Sequence, residues 1–159
     1  MYRTALPFDF KYYDMTKTAG TPIYIDTNGR LSWTDTTSDY TPTDAKMMAE
    51  QDIAVAWKDM AAYGIIYNCN LDAGGPNERT VISWNTKWYS VGETIFQAVL
   101  YKNGDIVINY ANMSNASGAG HTGTGIVYKG VSRGDNTHWT LTNWNILQQN
   151  MSRRSFVYH

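Results

Sequence analysis

The stretch Thr94-Ile-Phe-Gln-Ala-Val-Leu-Tyr101, followed by Lys102-Asn-Gly-Asp105 and Ile106-Val-Ile-Asn-Tyr110, decides the fold class of this chain. Two runs rich in β-branched and aromatic residues flank an Asn-Gly pair, which suits the two positive φ angles of a type I′ turn. The sequence therefore predicts an antiparallel hairpin over these residues. Because apolar residues occupy both faces of the two runs, we expect this hairpin to lie centrally in a sheet, buried on both sides.

Similar runs continue outward in both directions, separated by turn residues at intervals typical of β-sandwiches and barrels. A second Asn-Gly pair, in Thr27-Asn-Gly-Arg30, predicts another type I′ hairpin. The predicted strands cover residues 6–13, 22–26, 30–33, 53–57, 63–69, 79–85, 93–102, 105–110, 123–129 and 138–147. The polar stretch 114–124, which follows the central hairpin, is predicted to be one long loop. These patterns predict an all-β fold.

One segment favours helix instead. Thr43 is a candidate N-cap, Asp44 places an acid in the first turn, and strong helix formers follow as far as Gln51. The sequence predicts a short helix over residues 43–51. The next run, Ile53-Ala-Val-Ala-Trp57, is ambiguous between helix and strand by periodicity alone.

Length and composition limit the classes of protein that fit. The chain has 159 residues, with six Trp, twelve Tyr and four Phe, so we expect one packed domain over residues 1–159. A formal net charge of −1 leaves no excess of basic residues for nucleic acid, and no apolar run is long enough for membrane insertion. With a single cysteine, Cys69, an internal disulfide is impossible, and we expect Cys69 to be a small packing residue in its strand.

Several motifs occur in the order found in one known family. They are Leu6-Pro-Phe-Asp-Phe10, Tyr24-Ile-Asp-Thr-Asn-Gly-Arg-Leu-Ser-Trp33, Ile53-Ala-Val-Ala-Trp-Lys-Asp-Met60, Gly64-Ile-Ile-Tyr67, Val81-Ile-Ser-Trp84, Phe96-Gln-Ala-Val-Leu100 and Asn103-Gly-Asp-Ile106. In these motifs the chain resembles the nidogen-like extracellular domain and its bacterial secreted relatives. The resemblance implies a two-sheet antiparallel β-sandwich of jelly-roll type, a strand at residues 53–57 and an extracellular location.

The chain departs from the family pattern at one acidic position. The family's Pro-Phe-Trp-Asp-Asp is Val55-Ala-Trp-Lys-Asp59 here, so its first acid is missing. The role of that acid elsewhere does not transfer to this chain.

No arrangement of residues indicates catalysis. The histidines are His121, His138 and His159, no serine lies in a nucleophile-elbow motif, and Cys69 lies inside a predicted strand. Most of the eleven aspartates adjoin turn residues, where Asp caps backbone N–H groups. We therefore expect no enzymatic activity and no cofactor.

Binding residues are sought among the aromatic side chains and in the loops. Trp33, Trp57 and Trp84 fall inside the family motifs and are predicted to be core. The candidate binding residues lie in predicted loops or outside the best-matched motifs; they are Trp88, Tyr89, His121, Trp139 and Trp144. Asp26 with Asn28, and Asp72, are candidate calcium ligands, with plain loop hydrogen bonding as the alternative.

The sequence predicts a non-catalytic module that contacts protein or glycan at the cell surface or outside the cell. The alternative is a structural subunit of a virion or appendage, such as a phage tail or capsid-decorating protein. Low charge, abundant Asn, Thr and Tyr, and a start at Met1 without a signal peptide support that alternative. A C-terminal extension, 148–159, is predicted to add a strand to its own sheet or to a neighbour's edge, so a homo-oligomer or larger assembly is open.

Overall fold

The protein is built almost entirely of strands. A computed structural model describes residues 1–35, 40–43, 45–46, 52–88, 91–113, 121–126, 139–143 and 154–159. The strands are β1 (Tyr2–Ala5), β2 (Phe10–Tyr12), β3 (Met15–Lys17), β4 (Pro22–Asp26), β5 (Arg30–Ser32), β6 (Asp52–Trp57), β7 (Ala61–Leu71), β8 (Arg79–Trp88), β9 (Val91–Tyr101), β10 (Ile106–Met113), β11 (His121–Ile126), β12 (Trp139–Asn143) and β13 (Arg154–Tyr158).

The strands form two antiparallel sheets and one separate hairpin. One sheet has six strands in the order β1-β4-β5-β6-β11-β12, and the other has five in the order β13-β10-β9-β8-β7. The hairpin consists of β2 and β3. The prediction of an all-β sandwich is confirmed, and the 94–110 hairpin forms β9 and β10 with β9 at the centre of the five-stranded sheet.

The core lies between the two sheets. Ile23, Ile25, Leu31, Ile53 and Val55 from the six-stranded sheet meet Ile82, Trp84, Phe96, Leu100, Ile106 and Ile108 from the five-stranded sheet. Trp84 stacks on Phe96 with ring centroids 5.2 Å apart. Trp33, Trp57 and Trp84 are all buried, so the prediction that these three tryptophans are core is confirmed.

Both Asn-Gly turns differ from the predicted type I′ geometry. Gly29 and Gly104 have positive φ angles, 80° and 100°, whereas the asparagines before them do not. In each turn the glycine N–H donates to the carbonyl three residues earlier, from Gly29 to Asp26 and from Gly104 to Tyr101. A three-residue hairpin loop ending in a left-handed residue has this pattern, since only its last position requires positive φ.

Two strand boundaries correct the sequence prediction, and one ambiguous run is resolved as strand. Of the predicted strand 6–13 only Phe10–Tyr12 forms a strand, β2, and β1 ends before it at Ala5, because Pro7 lacks the N–H group needed to continue a ladder. The predicted loop 114–124 gives way to β11 at His121. The ambiguous run Ile53–Trp57 is part of β6, as the family resemblance implied.

The helix predicted over residues 43–51 falls largely outside the described residues. Within it, Ala45 and Lys46 are helical, and the Lys46 N–H donates to Thr43 Oγ1 at 3.2 Å. This contact is the N-cap interaction expected of Thr43.

The C-terminal strand closes on the sheet of its own chain. β13 pairs antiparallel with β10, with Tyr158 opposite Ile106 and Arg154 opposite Tyr110. It therefore occupies one edge of the five-stranded sheet, and β7 forms the opposite edge. Among the described residues no helix has the length and apolar character to cross a membrane.

Candidate functional site

The Asp26 and Asn28 side chains, predicted as candidate calcium ligands, lie buried beneath the β4–β5 turn. Asp26 Oδ1 accepts the Asn28 N–H at 2.9 Å, and Asn28 Oδ1 accepts the Met60 N–H at 3.0 Å. The Arg30 guanidinium lies 3.6 Å from the Asp26 carboxylate and 4.6 Å from the Trp57 ring centroid. These oxygens therefore accept main-chain hydrogen bonds or face Arg30.

Asp72 is also engaged within its own turn. Its Oδ2 accepts the Asn77 N–H at 3.0 Å, and its carbonyl accepts the Gly75 N–H at 2.8 Å. Its backbone has a φ of 55°, which Asp tolerates better than most residues. Among the described residues no group of three or more His, Cys, Asp or Glu is placed to hold a metal ion.

The five predicted binding residues are not brought together at one described site. Trp88 is the last residue of β8, His121 is the first residue of β11, and Trp139 is the first residue of β12. Within the β11–β12 pair, His121 and Trp139 lie at opposite ends, opposite Asn143 and Gly125. Tyr89 and Trp144 lie outside the described residues.

The clearest exposed apolar surface is the edge strand β7. Its outward side chains Ile65, Tyr67 and Leu71 are 55%, 56% and 39% exposed, and Cys69 between them is also exposed. The expectation that Cys69 is a packing residue is therefore wrong, because an edge position leaves it facing solvent. We call residues 65–71 of β7 the β7 edge.

The β7 edge continues into the outer face of the five-stranded sheet. Cross-strand partners point to the same face, so Cys69, Val81, Val99, Val107 and Val157 form one apolar row across all five strands. Only Val99 in this row is buried, whereas Val157 is 51% exposed. The sequence predicted that the central hairpin is buried on both faces, whereas its outer face is largely accessible to solvent.

A polar row runs beside the valines. Gln97 Nε2 donates to Ser83 Oγ at 2.8 Å, Asn109 Nδ2 donates to Gln97 Oε1 at 3.5 Å, and Ser155 Oγ donates to Asn109 Oδ1 at 2.6 Å. Tyr67 on the β7 edge lies opposite Ser83 and completes the row. The hydrogen bonds tie β13, β10, β9 and β8 together and give the β7 edge a rigid support.

A cleft of ≈ 270 Å³ lies at the other edge of the same sheet, below the β2–β3 hairpin. It is lined by Lys11, Tyr12, Tyr13, Asn103, Gly104, Ile106, Tyr158 and His159. His159 Nδ1 lies 3.0 Å from Asp105 Oδ1 at the rim. Hydrogen bonds from His159 and then Asn103 lower the pKa of Asp105, so this carboxyl is held as the carboxylate.

Tyr13 has an unusual backbone in this cleft. It occupies the two-residue connection between β2 and β3 with a φ of 55°, a region that a bulky side chain rarely adopts. Its ring is half-buried and meets the Tyr12 ring edge-on, with centroids 5.0 Å apart. Nearby, burial raises the pKa of Tyr158, so its hydroxyl stays protonated into the alkaline range.

Comparison with known families identifies the chain. The family model described as NIDO related matches residues 1–156. The chain belongs to the NIDO-related family. This confirms the resemblance to nidogen-like domains that the sequence motifs indicated. No curated protein and no solved structure gives a significant match to this NIDO-related domain.

The five predicted binding residues include no member of the β7 edge or of the cleft lining of this NIDO-related domain. The β7 edge depends on the order of strands in the sheet, which the run Ile65-Ile-Tyr-Asn-Cys-Asn-Leu71 does not encode. The cleft joins the β2–β3 hairpin, the 102–105 turn and the C-terminal residues, which are far apart in the chain. One local signal was available, since a tyrosine follows Tyr12 where a tight connection normally favours Gly, Asn or Asp.

Proposed function

We propose that this NIDO-related domain is a non-catalytic extracellular module that works by protein contact through the β7 edge. Family membership indicates an extracellular-type domain. The observation that carries the proposal is the edge itself, a strand of eleven residues whose outward apolar side chains between Ile65 and Leu71 are exposed. Natural edge strands of this length are normally shielded by charges, proline, bulges or a covering element.

The composition of β7 supports a strand as its partner. Residues Ala61–Leu71 contain no charged residue and no proline, and the register shift against β8 lies between Ala61 and Ile65, before the β7 edge begins. Among the described residues no strand pairs with the side of β7 that faces away from β8, where main-chain N–H and C=O groups point outward. An extended segment satisfies such groups by adding to the sheet, a mode that takes affinity from main-chain hydrogen bonds and specificity from side chains.

The sequence pattern favours a second copy of this chain as that partner. In an antiparallel pair centred on Cys69, Tyr67 faces Leu71 of the second copy on the outer face, and Cys69 faces its own equivalent. Asn68 faces Asn70 on the other face, so apolar meets apolar and amide meets amide. The apolar row through Val81 and Val99 would then continue from one copy into the next.

Three acidic side chains are engaged in hydrogen bonds or an ion pair within the chain, which supports a role without catalysis. Asp26 and Asp72 accept main-chain hydrogen bonds, and Glu78 is paired with Lys102 at 2.9 Å. The Lys102 hydrogen bond lowers the pKa of Glu78, so this carboxyl is held ionised and is poorly suited to act as a general acid. No cofactor is needed for a contact of this kind.

Sedimentation equilibrium tests the proposal. The native chain is expected to form dimers as its concentration rises, and Tyr67→Lys is expected to be monomeric with an unchanged melting temperature, because Tyr67 is exposed. Val157→Lys is the matched control, since Val157 is similarly exposed but lies on the opposite edge of the sheet. A native chain that stays monomeric, or equal loss of association in both variants, would overturn the proposal.

The same experiment distinguishes the extracellular contact module from the alternative, a structural subunit of a virion or appendage. An isologous two-fold contact closes after two copies, whereas a virion or appendage subunit needs a further contact to grow. A mass that stops at the dimer supports the extracellular module. A mass that continues to rise with concentration supports the structural subunit instead.

A further inference from the structure

We propose that the cleft below the β2–β3 hairpin is a binding site for a single carboxylated sugar ring. This site is separate from the β7 edge, because it lies by β13 at the opposite edge of the five-stranded sheet. It adds a ligand to the domain beyond the protein contact proposed above.

The size and lining of the cleft set the size and character of the ligand. A volume of ≈ 270 Å³ lies just below the range of about 300 to 1,000 Å³ typical of sites for larger ligands, so one ring fits better than an extended molecule. Tyr12, Tyr13, Ile106 and Tyr158 supply an aromatic and apolar lining, and Lys11, Asn103 and His159 supply polar groups at the rim. Rings with one apolar face and a polar periphery suit this combination, because tyrosine combines an apolar face with a polar tip.

The backbone of Tyr13 is the observation that points to function. A left-handed φ for a non-glycine residue costs on the order of 1 to 3 kcal/mol, and such residues cluster at ligand-binding sites. Asn or Gly would fit this position without that cost, yet a tyrosine occupies it. Its edge-to-face contact with Tyr12 fixes the orientation of the ring within the cleft wall.

The charges at the rim select a carboxylate. Lys11 is exposed and forms no ion pair within the described part of the chain, while Asp105 is already paired with His159 at 3.0 Å. The cleft lining therefore presents the cation of Lys11 and includes no acidic side chain, because Asp105 lies outside it. Lysine binds an anion as a point charge, so a sugar acid is favoured over a neutral sugar.

The test is an NMR titration of the full chain with three probes: glucuronate, glucose and acetate. Glucuronate is expected to shift the Tyr13 and Gly104 amide signals with a Kd on the order of 1 mM or tighter. Glucose lacks the carboxylate of glucuronate, and acetate lacks its sugar ring. Each is expected to bind at least about tenfold more weakly than glucuronate, which corresponds to about 1.4 kcal/mol of binding free energy. Equal binding of glucuronate and acetate, or no shift with glucuronate, would overturn the proposal.

Single substitutions distinguish loss of glucuronate binding from loss of folding and from loss of the β7 contact. Tyr13→Asn relieves the backbone cost, so it is expected to remain folded while losing glucuronate binding, and Tyr101→Asn is its control outside the cleft. Lys11→Gln is expected to remove the preference for glucuronate over glucose, whereas Lys87→Gln retains it. Tyr67→Lys is expected to bind glucuronate normally, so failure of the β7 contact leaves this proposal standing. Retention of full binding in folded Tyr13→Asn would contradict the site.

Discussion

The indole Nε1–H of Trp84 donates a hydrogen bond to the main-chain carbonyl of Asp26 across the sandwich, at 2.9 Å. Trp84 belongs to the five-stranded sheet and Asp26 ends β4 of the six-stranded sheet, so this bond joins the two layers. The same carbonyl accepts the Gly29 N–H of the β4–β5 turn. One backbone oxygen therefore couples the tight turn to the centre of the core.

Replacing Trp84 with Phe tests this bond. The substitution keeps an aromatic ring but leaves the Asp26 carbonyl without its indole donor. We expect the free energy of unfolding to fall by about 1 to 3 kcal/mol in urea titrations, the cost of losing a buried partner plus some packing. Tyr67→Phe is the control, because Tyr67 is exposed and its change should lie within about 0.5 kcal/mol. Equal effects of the two substitutions would show that the bond contributes nothing.

Two glycines with similar backbones provide a matched pair. Gly20 and Gly29 have φ angles of 86° and 80°, but a Cβ added at Gly20 meets no atom within 4 Å, whereas one at Gly29 lies 2.4 Å from the Ala56 carbonyl oxygen. Gly20→Ala is expected to cost only the left-handed backbone, about 1 to 2 kcal/mol. Gly29→Ala is expected to cost clearly more, since the turn must move away from β6. Thermal melts of the two variants measure the difference, and equal melting temperatures would refute the close contact.

The buried hydroxyl of Tyr110 makes stability sensitive to alkaline pH. Tyr110 donates to the Val55 carbonyl, and burial, with a smaller effect from Tyr158, raises the pKa of Tyr110 well above 10.0. The unfolded chain therefore loses this proton first, so native stability is full below about pH 10 and falls as pH rises from there toward the folded pKa. Tyr110→Phe is expected to be about 1 to 3 kcal/mol less stable at pH 7 but to lose less on going above pH 10. Parallel stability curves for the two proteins would contradict this assignment.

The sequence correctly located strands and turns whose positions depend on neighbouring residues in the chain. Pro22–Asp26 was placed at its observed bounds, and the Asn-Gly turns were located although their type was wrong. The turn type could not be read from the Asn-Gly pair, because a three-residue loop also uses glycine at its left-handed position. Pro7 was a visible reason to end a strand, but the alternation of apolar and charged residues over 8–12 suggested one continuous strand.

The candidate surfaces depend on properties that lie beyond local pattern. Alternation in 65–71 identifies two faces of a strand but not which face is covered, since that depends on the strand's place in the sheet. Cys69 therefore seemed suited to the core and is exposed. Lys11 and His159 line the same cleft because the β2–β3 hairpin packs near the C-terminal strand. No sequence motif encodes that packing.

Oxidative cross-linking at Cys69 tests the β7 contact most directly. Directly opposed residues of antiparallel strands have Cα atoms about 4.5 to 5.5 Å apart, within the range that a disulfide spans. We expect mild oxidation of the native chain to give a dimer linked through Cys69. This dimer should form faster than the one from Asn103→Cys in a Cys69→Ser background, whose cysteine lies in the 102–105 turn. A native chain that cross-links no faster than this control would contradict pairing through β7.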